Sequence, residues 1–103
     1  MKESTLQKHI IEWLRSKGAY VANIYGSGMT GKGTADLLVC YKGMFIAVEC
    51  KVKKNKLSPA QEIRRNEVLR AGGMHIAPYT LEQFIDEFGA VTDGKTICNT
   101  RQQ

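Results

Sequence analysis

An α/β domain, with a mixed sheet flanked by helices, is the fold class this sequence predicts. Three observations carry that prediction. Residues 3–17 repeat apolar side chains at helical spacing, three stretches rich in β-formers follow, and two capped helical segments then enclose one more short apolar run. A sheet covered by helices is the natural way to bury elements in that order.

The first helix places Leu6, Ile10, Trp13 and Leu14 on one side, with Ile11 beside them, and Gly18 supplies its stop. Residues 19–25 (AYVANIY) read as a strand. GSGMTGKG follows, with four glycines in eight residues, and can only be a loop. Strands at about 36–41 and 44–51 form a hairpin around Lys42-Gly43. Ser58 is an N-cap, Pro59 suits the first helical position and Gln61 completes a Ser-x-x-Gln capping box. Ile63, Val68 and Leu69 should give that helix a buried side, and Gly72-Gly73 ends it. A strand at 74–77 comes next, then a helix from Thr80, with its own Thr-x-x-Gln box, to about Phe88. The whole chain, 1–103, is expected to form one domain with its core at about 3–88. Residues 89–103 form a tail, in which the Asp-Gly of VTDGKTI suits a short hairpin.

Composition narrows the function classes. With 43% hydrophobic and 24% charged residues the chain is ordinarily globular, which excludes disorder as the first reading. A net charge of +5 favours polyanionic partners without requiring them. Cys40, Cys50 and Cys98 lack zinc-ribbon spacing and are odd in number, so a reducing, cytoplasmic setting is expected. The first residues lack the apolar core of a signal peptide, and no apolar run approaches the roughly 20 residues of a membrane span. A core this small also makes association with a second copy expected.

The chemistry is concentrated where the hairpin strands end. Along 44–51, Met44, Ile46, Val48 and Cys50 share one face, and Phe45, Ala47, Glu49 and Lys51 the other. Both faces begin apolar, as for a strand covered on both sides. The second then switches to an acid and a base. Hairpin pairing can bring Asp36 close to Glu49, and two such carboxylates near a core need a cation. Few hard oxygen donors beside an open face suit Mg²⁺, or Mn²⁺ as its substitute. A surface ion pair at the sheet's end is the structural alternative for Glu49 and Lys51.

Gly33-Thr34-Ala35-Asp36, twelve intervening residues, then Glu49-Cys50-Lys51 resembles the PD-(D/E)XK nuclease core. More narrowly the chain resembles stand-alone VRR-NUC nucleases, small relatives of Holliday-junction resolvases, over about residues 3–80. Ala35 stands where that family usually has proline. The resemblance implies a restriction-endonuclease-like αβββαβ core and metal-assisted phosphodiester hydrolysis by Glu3, Asp36, Glu49, Lys51 and Gln61. Asp36, Glu49 and the Cys50 backbone carbonyl would be metal ligands, with Glu3 a further candidate. Lys51 would orient water or stabilise the phosphate. Glu3 equally suits a first-turn acid, and Gln61 already has its capping task. Gln7, one turn beyond Glu3, reads better as a solvated polar residue than as support for the site.

Ser27, Thr30 and Lys32 of the glycine-rich loop, and Lys53, Lys54 and Lys56 after the strand, are candidate nucleic-acid contacts. The loop lacks the P-loop pattern, so no nucleotide cofactor is expected. The function expected is a Mg²⁺-dependent DNA endonuclease, selective for branched or junction DNA and acting as a homodimer. A non-catalytic nucleic-acid-binding module on the same scaffold, or an RNA-processing nuclease, is the alternative.

Overall fold

The computed structural model describes residues 2–24, 35–51 and 56–92. Its elements follow the expected order: α1 (Glu3–Ser16), β1 (Tyr20–Asn23), β2 (Leu37–Tyr41), β3 (Met44–Val48), α2 (Pro59–Arg70), β4 (Met74–Ile76) and α3 (Leu81–Thr92). The sheet order is β1-β2-β3-β4, antiparallel at the first two pairings and parallel at the third. That is the mixed sheet expected, and β4 can join β3 in parallel because α2 carries the chain back across the sheet.

Local chemistry accounts for the element ends. Gly18, at φ +86°, closes α1 with a Schellman pair, in which its amide donates to the Arg15 carbonyl and Ala19 donates to Leu14. Lys42 and Gly43, both at positive φ, form the two-residue turn between β2 and β3. It fixes the register Leu37↔Val48, Val39↔Ile46 and Tyr41↔Met44. At α2 the whole capping box is present: Gln61 N–H donates to Ser58 Oγ at 3.2 Å, and Ser58 N–H to Gln61 Oε1 at 2.8 Å.

One face of the sheet is the core. Leu37, Val39, Ile46, Val48, Met74 and Ile76 meet Leu6, Ile10 and Leu14 of α1 and Phe84, Phe88 and Val91 of α3. Trp13 closes this side with its ring edge-on to Phe84 and Phe88, at 5.8 and 5.3 Å between centroids.

Four expectations need correction. The hairpin strands are not covered alike on both sides, because α2 covers its face only in part: Phe45 is 43% exposed and Tyr20 69%. The α2 side chain Ile63, expected inside, is 56% exposed, and of the three apolar residues expected to be buried Val68 and Leu69 alone turn partly inward. α3 does not stop at Phe88 but runs through Gly89 to Thr92, so Val91 and Thr92 are helical rather than part of a hairpin. Burial of Val91, one turn beyond Phe88, outweighs the roughly 1 kcal/mol cost of a helical glycine. At the start of α3, Gln83 takes the Thr80 cap but reaches back to the Tyr79 amide, one residue before the expected partner. The remaining tail expectation, on 93–103, lies outside the described residues.

Candidate metal and phosphate site

Past Val48 the chain leaves regular β3 but stays tethered to the segment after β4. Glu49 N–H donates to the Ile76 carbonyl and Lys51 N–H to the Pro78 carbonyl, each at 2.9 Å. The Cys50 amide between them faces the other way. Continuing the register one step beyond Leu37↔Val48 sets Asp36 opposite Glu49. There the Asp36 carboxylate receives the Cys50 amide, N···Oδ2 3.0 Å, in place of a backbone carbonyl. Asp36 also belongs to the β1 ladder through its carbonyl, which accepts from Ile24 N–H at 3.0 Å. Both acids are therefore held by backbone and are nearly inaccessible, at 7% exposure for Asp36 and 4% for Glu49.

Gln61 caps α2 and also hydrogen-bonds two of the candidate site residues. Its Oε1 accepts from Ser58 N–H, as the cap requires, and from Lys51 Nζ at 3.0 Å. Its Nε2 donates to Glu49 Oε2 at 2.9 Å. The orientation of the amide is set by chemistry, since the reverse would point its NH₂ at two donors and its oxygen at a carboxylate. No direct ion pair joins Lys51 to Glu49. The surface ion pair that the sequence also allowed is replaced by a Lys51–Gln61–Glu49 chain of hydrogen bonds.

The electrostatics follow from two buried acids on one step of a ladder. Burial, then the facing Asp36, push the Glu49 carboxyl up to about 7, against the opposing pull of Lys51. Asp36 is also raised, first by burial, with the Cys50 amide as the main counterweight and Glu3 adding to the rise. The Cys50 thiol is pushed up to about 12 by burial and by the three carboxylates, so it is a packed hydrophobe and not a nucleophile. Glu49 Oε1 is buried with no hydrogen-bond partner. An uncompensated carboxylate oxygen of this kind costs several kcal/mol unless it is protonated or meets a cation.

Glu3 sits in the first turn of α1 and is felt by Asp36, Glu49 and Cys50 through its charge. It does not close a tight ligand group with them: among the described residues no three His, Cys, Asp or Glu side chains come together as metal ligands. The donors that the fold sets side by side are the carboxylates of Asp36 and Glu49, on one step of the ladder. Those hard oxygens, with one carboxylate oxygen left unpaired, fit a divalent cation such as Mg²⁺.

Sequence reasoning missed Gln7. Read as solvated, it is 3% exposed in α1, its amide lying against the Asp36 carboxylate without closing a hydrogen bond through Nε2. Its i, i+4 relation to Glu3 was the available signal. Of the candidate nucleic-acid contacts, Lys56 is exposed just ahead of α2, while Ser27, Thr30, Lys32, Lys53 and Lys54 lie outside the described residues.

No family model matches the chain, and no curated protein matches it either. A solved structure described as a VRR_NUC domain superposes with a TM-score of 0.71 over 84% of this chain and 94% of that one, at 24% sequence identity. The chain has the fold of that domain. No helix among the described residues is long and apolar enough to cross a membrane.

Proposed function

We propose that this chain, folded like a VRR_NUC domain, belongs to the same nuclease family and is a metal-dependent DNA endonuclease. The observation that carries this reading is the single constellation of Asp36, Glu49, Lys51 and Gln61 with Glu49 Oε1 unpaired at its centre. A structural ion pair would satisfy its own carboxylate, and this one is left incomplete.

Asp36 and Glu49 would hold the cation, together with the Cys50 carbonyl, which in an extended chain leaves on the same edge as the Cys50 amide. A divalent ion there supplies charge to polarise a phosphodiester and to acidify a water. The protein's own part is positional. Lys51 donates one of its three N–H groups to Gln61 Oε1 and would turn the other two to a phosphate oxygen or the attacking water. Burial of the acids excludes competing water and strengthens each of these interactions. Lys56, exposed just ahead of α2, would meet the nucleic-acid backbone, as would Lys53, Lys54 and the loop residues Ser27, Thr30 and Lys32.

Selectivity for branched DNA and a homodimeric state belong to the same proposal. The described residues offer one such constellation, and cutting two strands takes two. Purified protein incubated with four-way junctions, flaps, duplex DNA and RNA, with and without Mg²⁺, tests the reading. Cleavage of branched DNA that requires Mg²⁺ and disappears in Lys51→Ala is the expected result. Binding without cleavage in any metal would replace the enzyme with a binding module, and cleavage confined to RNA would change the substrate class.

A further inference from the structure

We propose that Gln7 is a positioning residue of the cation site: its side-chain amide donates to the Asp36 carboxylate when the cation is bound and fixes the oxygen that faces the metal. The inference rests on the metal-site reading above and adds a residue from α1, an element otherwise occupied with the core.

Three observations point the same way. Gln7 is the one polar residue among those α1 buries, beside Leu6, Ile10 and Leu14. A glutamine is ordinarily exposed, so burial at this position calls for a partner. Its Nε2 has none, although the amide lies against Asp36, whose other support is the Cys50 amide on Oδ2. The second unpaired buried polar atom among the described residues is Glu49 Oε1, a lone acceptor in the same site. A donor and an acceptor without partners in one buried site suit an arrangement in which a cation pairs with the acceptor and the donor closes on a carboxylate oxygen. An amide NH₂ cannot ligate a cation, so the donor's target is a carboxylate oxygen. Asp36 has lone pairs for the Cys50 amide, the Gln7 amide and a cation together. With both amides in place its carboxylate cannot swing, and donors that hold a ligand from behind commonly raise its affinity for the cation in this way.

Gln7→Met keeps the length and apolar stem of the side chain and removes the donor. Mn²⁺ titrated calorimetrically into the unsubstituted protein and into Gln7→Met should show binding weakened about 10-fold in the variant. The metal-free melting temperature should be unchanged or higher, because a buried unpaired amide has gone. A purely structural role predicts the opposite pattern, a lower melting temperature with unchanged Mn²⁺ affinity, and that result overturns the proposal. Gln7→Leu repeats the comparison if Gln7→Met does not fold. In ¹⁵N-labelled unsubstituted protein, the Gln7 side-chain NH₂ signals should move on adding Mg²⁺; signals that stay in place while metal binds also overturn it. If the unsubstituted protein binds no Mn²⁺, the metal reading and this inference fall together. Equal affinities remove only the inference.

Discussion

The two faces of the sheet are built from alternate residues of the same strands and have opposite characters. Leu37, Val39, Ile46 and Val48 are essentially inaccessible and belong to one apolar cluster with residues of α1 and α3. Leu38, Phe45, Ala47 and His75 face α2, which leaves a shallow groove of about 190 Å³ between them and Val68. The first face buys stability. The second tolerates poor coverage because α2 is held chiefly at its ends. Its start is fixed by the capping box and the Glu49 contact, and its exit by Gly73, where a side chain would approach Val68 to 2.9 Å and the Phe45 ring to 3.0 Å. Site geometry thus depends on hydrogen bonds at the ends of α2 more than on packing along it.

Neutralising the site should give the largest effect and divide the faces most clearly. Glu49→Gln or Asp36→Asn should reduce Mg²⁺-dependent cleavage by about 1000-fold, the several kcal/mol that a bound metal supplies. Neither should lower the metal-free melting temperature at pH 8. On the opposite face, Leu37→Ala should cost about 2–5 kcal/mol in denaturant unfolding, whereas Phe45→Ala, half-exposed, should cost about 1 kcal/mol. Equal costs would mean that the α2 face is covered in solution.

The pH dependence of metal-free stability sharpens the contrast. Glu49, raised from 4.5 to about 7, binds more protons folded than unfolded between those values. Its contribution is therefore fully present below about 4.5 and lost as pH rises through 7, a change of about 3 kcal/mol. His75 works in the opposite direction. Burial and then Arg65 lower it from 6.5 to about 4, so its contribution is present above 6.5 and lost as pH falls through 4. The two oppose each other between pH 4.5 and 6.5. Melting temperatures from pH 4 to 8 should consequently show no fall at low pH until Glu49→Gln, combined with Asp36→Asn because Asp36 is raised in the same direction, unmasks the His75 slope, stability then falling as pH falls. A variant with no such slope would show that His75 titrates normally.

The smallest predicted effects separate the two tasks of Gln61. Ser58→Ala removes the cap alone and should cost about 1 kcal/mol with cleavage nearly intact. Gln61→Glu retains an acceptor for Ser58 N–H and Lys51 but sets a carboxylate against Glu49. Cleavage should fall while helix stability, followed by circular dichroism, hardly changes. Parallel losses in both variants would mean that the cap and the site are one function.

What could be read in the sequence was local. Caps, turns and strand alternation gave the element order, and the E-x-K spacing with Gln61 gave most of the site. The misses have physical causes. Ile63 follows helical periodicity, but whether that side of α2 is covered depends on elements distant in sequence. Gly89 is a poor helix residue in isolation and is overridden by burial of Val91. Gln7 looked solvated because Asp36, the acid whose ionisation it affects, is 29 residues away and approaches it only once the hairpin has formed. The Lys51–Glu49 relation was half legible: the two residues were placed on one face, but the glutamine between them comes from another element.

Asp36 and Glu49 are opposite one another because two five-residue strands are joined by a two-residue turn, Lys42-Gly43. The turn is roughly 17 Å from the acids, by strand rise alone, and touches nothing in the site. It nevertheless acts as the ruler that measures out the site. One residue inserted into either arm would carry an acid to the wrong side of the sheet while leaving every letter of the candidate site in place. Related sequences should accordingly vary freely in what the arms display to solvent and hardly at all in how many residues separate the two acids.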